Sequence, residues 1–492
     1  MVRALNLCLI LPSAGVRFWH AALAVALRGQ GHSLAIRSKQ GCGGAVRPAG
    51  LDLLFELERY AYNVGVQHPS ADMPLARVAG LLKIAGEPPF DMTLDLTGVD
   101  SPFIQPLFDG VPDDSGLVNA LLEGRAPLIE VRLRGKILAR GLPAIEQKHL
   151  ITQGMDCVFV RTIDLMVQAV RDFATGAPAQ LMAREVLPAS RHMPLLFGVK
   201  HVAAKIAARL TRLAGRSDHW RVAWRFTRND GVHETRVWPQ GGYINLPDDA
   251  RRYYADPFVF VHQGVVHVFV EEYPYATHKG VLSVFTIAAD GTMSQPRVIL
   301  EAPCHLSYPH VFERDGQIWM IPETSGARTV ELWRAERFPD QWVREAVLLD
   351  DVCLGDATLT EHEGRLWLFA ASGGDGGSSW DSLHLYHADH LLGPWTAHAR
   401  NPVLIDASAA RPAGAMWQRD GALFRVVQDC TEIYGGGLSI TRVDALTPEV
   451  FSQSVETRLA PPKGSGMAGV HTLNRSQSVE VIDMVGWRRG AR

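Results

Sequence analysis

Two rhythms of apolar and polar positions divide this chain. Over about residues 1–180, continuous apolar runs such as "LNLCLIL", "HSLAIRS", "DMTLDLTG" and "PLIEVRL" alternate with amphipathic segments such as "FWHAALAVALRGQ". Runs apolar on both faces, separated by helical periodicity, predict an α/β domain around a parallel sheet. Residues 181–217 read as a linker, with one basic amphipathic helix over about 195–216. From 218 to 492 short apolar runs alternate with Asp-Gly and Gly-Gly turns, which predicts an all-β region.

The second rhythm repeats. "DPFVFVHQGVVHVFVEE" turns at Gly264, "YPHVFERDGQIWMIPET" at Gly316, "DATLTEHEGRLWLFAAS" at Gly364 and "AGAMWQRDGALFRVVQD" at Gly421. A weaker copy, "AGVHTLNRSQSVEVIDM", has Ser476 in that place, and the intervals are 52, 48, 57 and 55 residues. Equal units of this size, each too small to bury its own face, predict a five-bladed β-propeller. The lead-in "HWRVAWRF" is expected to complete the last blade.

In an antiparallel hairpin the first and last residues lie side by side, away from the turn. Counting eight back from each turn glycine gives Asp256, Tyr308 and Asp356; counting seven forward gives Glu271, Glu323 and Gln428. A ring of blades brings these positions to one mouth. Facing carboxylates suit sugar chemistry, one as general acid and another as base or nucleophile. Asp256 is the expected base or nucleophile, Glu323 the acid and Asp356 a positioning group. Glu271, His305, Tyr308, His310, Arg411, Gln428 and Tyr434 are expected to hold substrate, with Trp417 nearby. Trp319, Trp333 and Trp367 are expected in the core.

Composition narrows the partners. A net charge of -3 gives no field for nucleic acid. The six cysteines are scattered, with no CxxC pair, so no metal site is predicted. No uninterrupted apolar run reaches membrane-spanning length, and the expected location is cytoplasmic. The basic helix has two readings, a packed linker or a peripheral contact with anionic lipid.

The ordered motifs "YYADPFVF", "VFVEEY", "HLSYPHVFE", "WMIPET", "DATL", "GPWTAHARNPV" and "YGGGL" resemble the propeller domain at the N-terminus of plant glucosamine inositolphosphorylceramide transferases. That domain also occurs in bacterial proteins of surface-glycan gene sets. More distantly, "ADP" is similar to the opening of five-bladed arabinanase-, xylosidase- and fructosidase-type glycosidases, whose Asp there is base or nucleophile. The resemblance implies a carbohydrate-active enzyme of glycan or glycolipid assembly, with a nucleotide-sugar donor one possibility. A non-catalytic glycan-binding propeller is the alternative. The α/β part is similar to formyltransferase-type domains, which implies N-formyl transfer to an amino sugar as a third reading. That family uses an Asn, a His in an "HPSLLP"-like loop and an Asp. Here "NVGVQHPSADMP" holds Asn63 and His68, but it precedes the "DMTLDLTG" strand where the family's loop follows it. A functional triad is therefore not expected, and the domain reads as a degenerate scaffold or as a binder of nucleotide-sugar or folate.

Overall fold

The computed structural model describes residues 3–40, 50–62, 68–78 except 76, 87–176, 218–461 except 375, and 467–487 except 477, with short pieces between 181 and 199. Asn63 and most of the basic helix lie outside the described residues. The chain forms two compact units, residues 1–207 with 375–378, and residues 208–374 with 379–492. No helix among the described residues is long and apolar enough to cross a membrane.

The first unit opens with β1 (Asn6–Pro12), α1 (Phe18–Gly29), β2 (Ser33–Lys39), α2 (Leu51–Tyr62) and β3 (Met92–Asp95). The three strands form a parallel sheet in the order β2-β1-β3. Leu7, Leu9 and Leu11 are fully buried, as runs apolar on both faces require. There follow β4 (Gln105–Phe108), α3 (Asp114–Leu122), β5 (Ile129–Leu133), β6 (Lys136–Gly141) and the long α4 (Ile151–Thr175). The run "PLIEVRL" supplies β5, and here the sequence expectation is corrected. It joins a separate antiparallel sheet, β4-β5-β6, not the parallel one. The cause is the turn after it. Arg134 and Gly135 both have positive φ, 49° and 80°, the two-residue hairpin geometry that returns the chain beside itself.

Among its described residues the second unit has five antiparallel sheets in chain order, four of four strands and one of five. The first runs from strand Arg252–His262 to Arg297–Leu300. The fifth combines both ends of the unit: strands Leu473–Ser476 and Val479–Trp487 pair with Asp218–Phe226 and Ile244–Asn245. The lead-in "HWRVAWRF" thus completes this sheet. Four hairpin turns fall where the repeat placed them, at Gly264, Gly316, Gly364 and Gly421, each with φ between 71° and 77°. The fifth falls just after Ser476.

Apolar packing closes the set. Phe258, Phe269 and Leu282 of the first sheet pack on Tyr308, Val311 and Met320 of the second. Ile321 and Leu332 meet Leu366 and Leu368 of the third, and Trp367 and Phe369 meet Leu423 of the fourth. Val426 and Ile440 meet Leu473 and Ile482 of the fifth. Finally Trp224 and Val481 of the fifth meet Val268 and Phe285 of the first. Each sheet buries both faces only by having two neighbours, so the sheets form a closed cycle. Trp367 is in this core, and Trp319 and Trp333 pack against it.

Glu480 anchors the closing sheet. It is fully buried and accepts from Arg225 Nε at 2.9 Å, Tyr243 Oη at 2.7 Å and the Val232 amide at 2.6 Å. Removing one partner of a buried ion pair strands the other without water. Glu480→Ala is expected to destabilise this unit by about 3–5 kcal/mol, read from chemical denaturation. Glu480→Asp, which keeps the charge, should lose less.

Candidate functional site

The site is set by backbone first. Asp256, Tyr308 and Asp356, equivalent positions in three repeats, all have left-handed φ, 50°, 46° and 53°. Each lies within a break in its hairpin's register. The residues paired with the hairpin ends are therefore the preceding ones: Ala255 with Glu271, Ser307 with Glu323 and Gly355 with Ala371. This corrects the sequence count, which put the hairpin starts themselves opposite the ends. A non-glycine residue in this region costs about 1–3 kcal/mol and persists where its surroundings over-determine it. Here the freed amides supply that constraint by binding carboxylates of neighbouring sheets. Asp256 N–H donates to Asp483 Oδ2 at 2.9 Å, Tyr308 N–H to Asp256 Oδ2 at 3.2 Å, and Asp356 N–H to Glu323 Oε2 at 3.0 Å.

The resulting pocket is lined by Asp256, Glu271, Glu323, Asp356, Arg411 and His471, with Trp220, Tyr253, Ala255, His305, Ser307 and Tyr434. Asp356 is fixed by Arg411 Nε at 2.6 Å and Gln428 Nε2 at 3.0 Å. Arg411 also donates to Ser379 Oγ at 2.8 Å and lies over the Tyr434 ring, 5.2 Å from its centroid. His471 spans two carboxylates, with Nδ1 2.6 Å from Asp483 and Nε2 3.4 Å from Asp256. Thr472 donates to Asp256 Oδ1 at 2.9 Å. Glu271 touches His305 Nε2 at 3.3 Å and Tyr253 Oη at 3.5 Å, and Ser325 donates to Glu323 Oε1 at 2.7 Å. Glycines permit these approaches. A Cβ on Gly280 would lie 2.9 Å from Glu271 Oε1, and one on Gly435 2.7 Å from the His471 Cβ.

Two expected substrate contacts are elsewhere. The Tyr308 phenol is fully buried between sheets, its hydroxyl bonded to Thr358 Oγ1 and the Gly414 amide. His310 is packed against Phe258 and Phe312, and its Nδ1 accepts from the Leu359 amide. Burial pushes its pKa down to about 4, so it is a neutral core group. Trp417 stacks on Phe424 outside the pocket. Gln428 reaches the site by holding Asp356, and His305 and Tyr434 line it. Sequence reasoning missed His471, Trp220 and Tyr253. His471 lies in the weak fifth repeat, where alignment gave no firm register. Trp220, in the strand that closes the cycle, stacks on His471 at 4.0 Å.

Burial dominates the electrostatics. It pushes the Asp356 carboxyl up to about 8, opposed by Arg411 and reinforced by Glu323 and Asp256. It raises Glu271 well above the usual carboxylate range, with Asp256, Glu323 and Asp483 adding to the effect. Asp256 is raised by burial too, with His471 opposing. His471 is raised by Asp483 and Asp256 against its own burial. The cluster therefore retains protons near neutral pH. Asp256, His471 and Asp483 are also spaced to hold a metal ion, their ligand atoms lying within 4.8 Å of one another. A protonated His471 between the two carboxylates balances that charge without a cation.

Residues 246–480 match the family model described as Glucosamine inositolphosphorylceramide transferase 1, N-terminal. The acids that line the pocket, Asp256, Glu271, Glu323 and Asp356, all fall inside this match, and Asp483 behind them lies just beyond it. Glucosamine inositolphosphorylceramide transferase 1 of Arabidopsis thaliana is 30% identical over 240 residues, which is 46% of this chain and 31% of that protein. The protein of the same name from Oryza sativa subsp. japonica is 29% identical over 260 residues, 52% of this chain and 34% of that one. The chain thus spans about a third of the length of these relatives. Among solved structures, Zg3597, a family 117 glycoside hydrolase from Zobellia galactanivorans, aligns with a TM-score of 0.35 at 12% identity, over 55% of this chain and 91% of that one. An exo-1,5-α-L-arabinanase from a bovine ruminal metagenomic library aligns with a TM-score of 0.34 at 14% identity, over 48% and 95%. The family match does not extend to residues 1–207. There, His68 Nδ1 lies 3.1 Å from Asp156 and 3.0 Å from Ser70 Oγ.

Raised folded-state pKa values of Glu271, Asp356 and His471 mean that the folded unit holds protons the unfolded chain releases. Their contribution is complete below the unfolded pKa values and is lost as pH rises through the folded ones. Thermal stability is expected to fall as pH rises from about 5 to about 8, the span set by the ordinary carboxylate value and Asp356. Glu271→Gln should flatten that fall; an unchanged slope would show that Glu271 holds no extra proton.

Proposed function

We propose that the second unit is a five-bladed propeller whose central pocket performs glycosyl chemistry, transferring or cleaving a sugar during glycan or glycolipid assembly. The observation that carries this reading is the convergence of Asp256, Glu271, Glu323 and Asp356 on one pocket with an aromatic wall. Burying several acids together is costly, and folds keep that arrangement chiefly at sites of chemistry. Tyr434, Trp220 and Tyr253 offer ring faces and a hydroxyl suited to a pyranose. The names of the matched relatives agree with glycosyl transfer to a lipid-linked acceptor.

In this reading Asp256 is the base or nucleophile. His471 lowers its proton affinity, so Asp256 is more easily ionised than burial alone allows. Glu271 and Glu323 are the candidates for the acid, and the raised proton affinity of Glu271 favours it. The acid gives its proton to the departing glycosidic or phosphate oxygen as the bond to the anomeric carbon breaks. Asp256 either attacks that carbon or takes the proton of the incoming hydroxyl. Asp356, held by Arg411 and Gln428, positions Glu323 through its own amide.

One observation favours a second reading, a glycan-binding pocket without catalysis. Asp256 has both carboxylate oxygens engaged by protein donors and Asp356 accepts twice at Oδ2, as expected of a rigid recognition surface. The two readings separate on the same variants. With nucleotide-sugar donors and glycolipid acceptors, or with aryl glycosides, Asp256→Asn and Glu271→Gln should each lower turnover by about a hundredfold or more while thermal stability near pH 6 is kept. Variants that bind glycan as wild type does, from a parent without turnover on either panel, would give the pocket to recognition.

A further inference from the structure

The first unit holds a cleft of its own, distinct from the pocket above. In the sheet order β2-β1-β3, β1 leads through α1 to β2 on one side and has β3 on the other. The loops leaving the carboxyl ends of β1 and β3 therefore diverge, and a crevice opens between them, the usual ligand position in open α/β sheets. The cleft follows that crevice. Ala14, Gly15 and Arg17 come from the loop after β1, and Asp95, Thr97 and Gly98 from β3 and the loop after it. Asp113 and Asp114, at the start of α3, close the third side. The floor is apolar, formed by Pro12, Leu51, Phe55, Pro106, Val118 and Met155.

An independent observation marks it as a binding site. Arg17 is 5% exposed, and its Nη1 is buried with no hydrogen-bond partner among the described residues. Its Nη2 is held by Asp114 Oδ2 at 2.6 Å, and its guanidinium lies over the Phe159 ring, 5.4 Å from the centroid. A buried guanidinium N–H left unbonded has lost its water without replacement, and an acceptor in the cleft would relieve it.

The charges select the ligand. Asp114 already neutralises Arg17, and Asp113 and Asp95 add negative charge, so a polyphosphate is disfavoured. Asp95 and Asp113 bind their own loops, accepting from Thr97 and from the Ser115 amide. What suits an apolar floor, one buried donor and an acidic rim is a flat heterocycle with an acceptor edge, carrying hydroxyls. We propose that this cleft binds a nucleoside unit. Its base lies on the apolar floor and accepts from Arg17 Nη1, its ribose hydroxyls face Asp113 and Asp114, and any phosphates project outward without contributing affinity.

Calorimetric titration of the full chain with the common ribonucleosides and their mono- and diphosphates tests this. At least one nucleoside should bind saturably, with its phosphorylated forms within about threefold of it, well under 1.4 kcal/mol. Arg17→Met should weaken binding at least about tenfold. If that variant does not fold, Ala14→Trp carries the test: Ala14 is exposed at the rim, and a bulky ring there should abolish binding without altering thermal stability. Glu271→Gln in the other unit should leave nucleoside binding unchanged. Absence of saturable nucleoside binding at millimolar concentration would overturn the proposal. So would diphosphates binding more than about tenfold tighter than nucleosides, or full binding in Ala14→Trp.

Discussion

The second unit depends on a charge problem solved at its centre. Asp256, Glu271, Asp356 and Asp483 are buried together, with Arg411 and His471 as the buried cations that face them. Isolated ionised groups would not survive such burial, so each must be paired, protonated or hydrogen-bonded. All three solutions occur. Asp356 is paired with Arg411, Asp483 accepts from the Asp256, His471 and Thr472 amides, and Glu271 is driven toward its protonated form. Because the partners come from different sheets, the same bonds that satisfy the charges tie the sheets together.

Backbone geometry makes those bonds available. An ordinary hairpin would spend the amides of Asp256, Tyr308 and Asp356 on its own ladder. The left-handed residue at each position breaks the register and turns the amide toward a neighbour's carboxylate. Tyr308 shows that the backbone role and the side-chain role separate. It keeps the left-handed geometry and donates to Asp256, while its phenol ties two other sheets through Thr358 and Gly414. A tyrosine can thus replace the acid of the neighbouring repeats without opening the cycle.

Much of this was legible in the chain. Turn glycines at near-equal intervals locate four hairpins, and the shared count from them picks out Asp256, Glu271, Glu323, Asp356 and Gln428 from the chain alone. What was not legible depends on pairing between distant segments. His471 sits in the repeat with the least regular pattern, and Trp220 lies 265 residues from its partner Val485. The bulges were hidden because a left-handed Asp or Tyr carries no compositional mark of the kind glycine does. Tyr308 and His310 were misassigned because an alternating pattern shows that a residue faces inward, not whether inward means pocket or inter-sheet core. In the first unit the apolar run of β5 suggests a parallel strand, since a run's own composition does not state its neighbour; the Arg134-Gly135 turn does.

The central claim is that the buried cluster stores a proton near neutral pH, placed to be given to a sugar oxygen. Difference infrared spectroscopy across a pH titration tests it directly, because a protonated carboxyl and a carboxylate absorb apart. The account predicts a protonated carboxyl band at about pH 7 that is lost on raising the pH and is weakened in Glu271→Gln, with Asp356 supplying the remainder. A wild-type spectrum with every carboxyl ionised at that pH would contradict it.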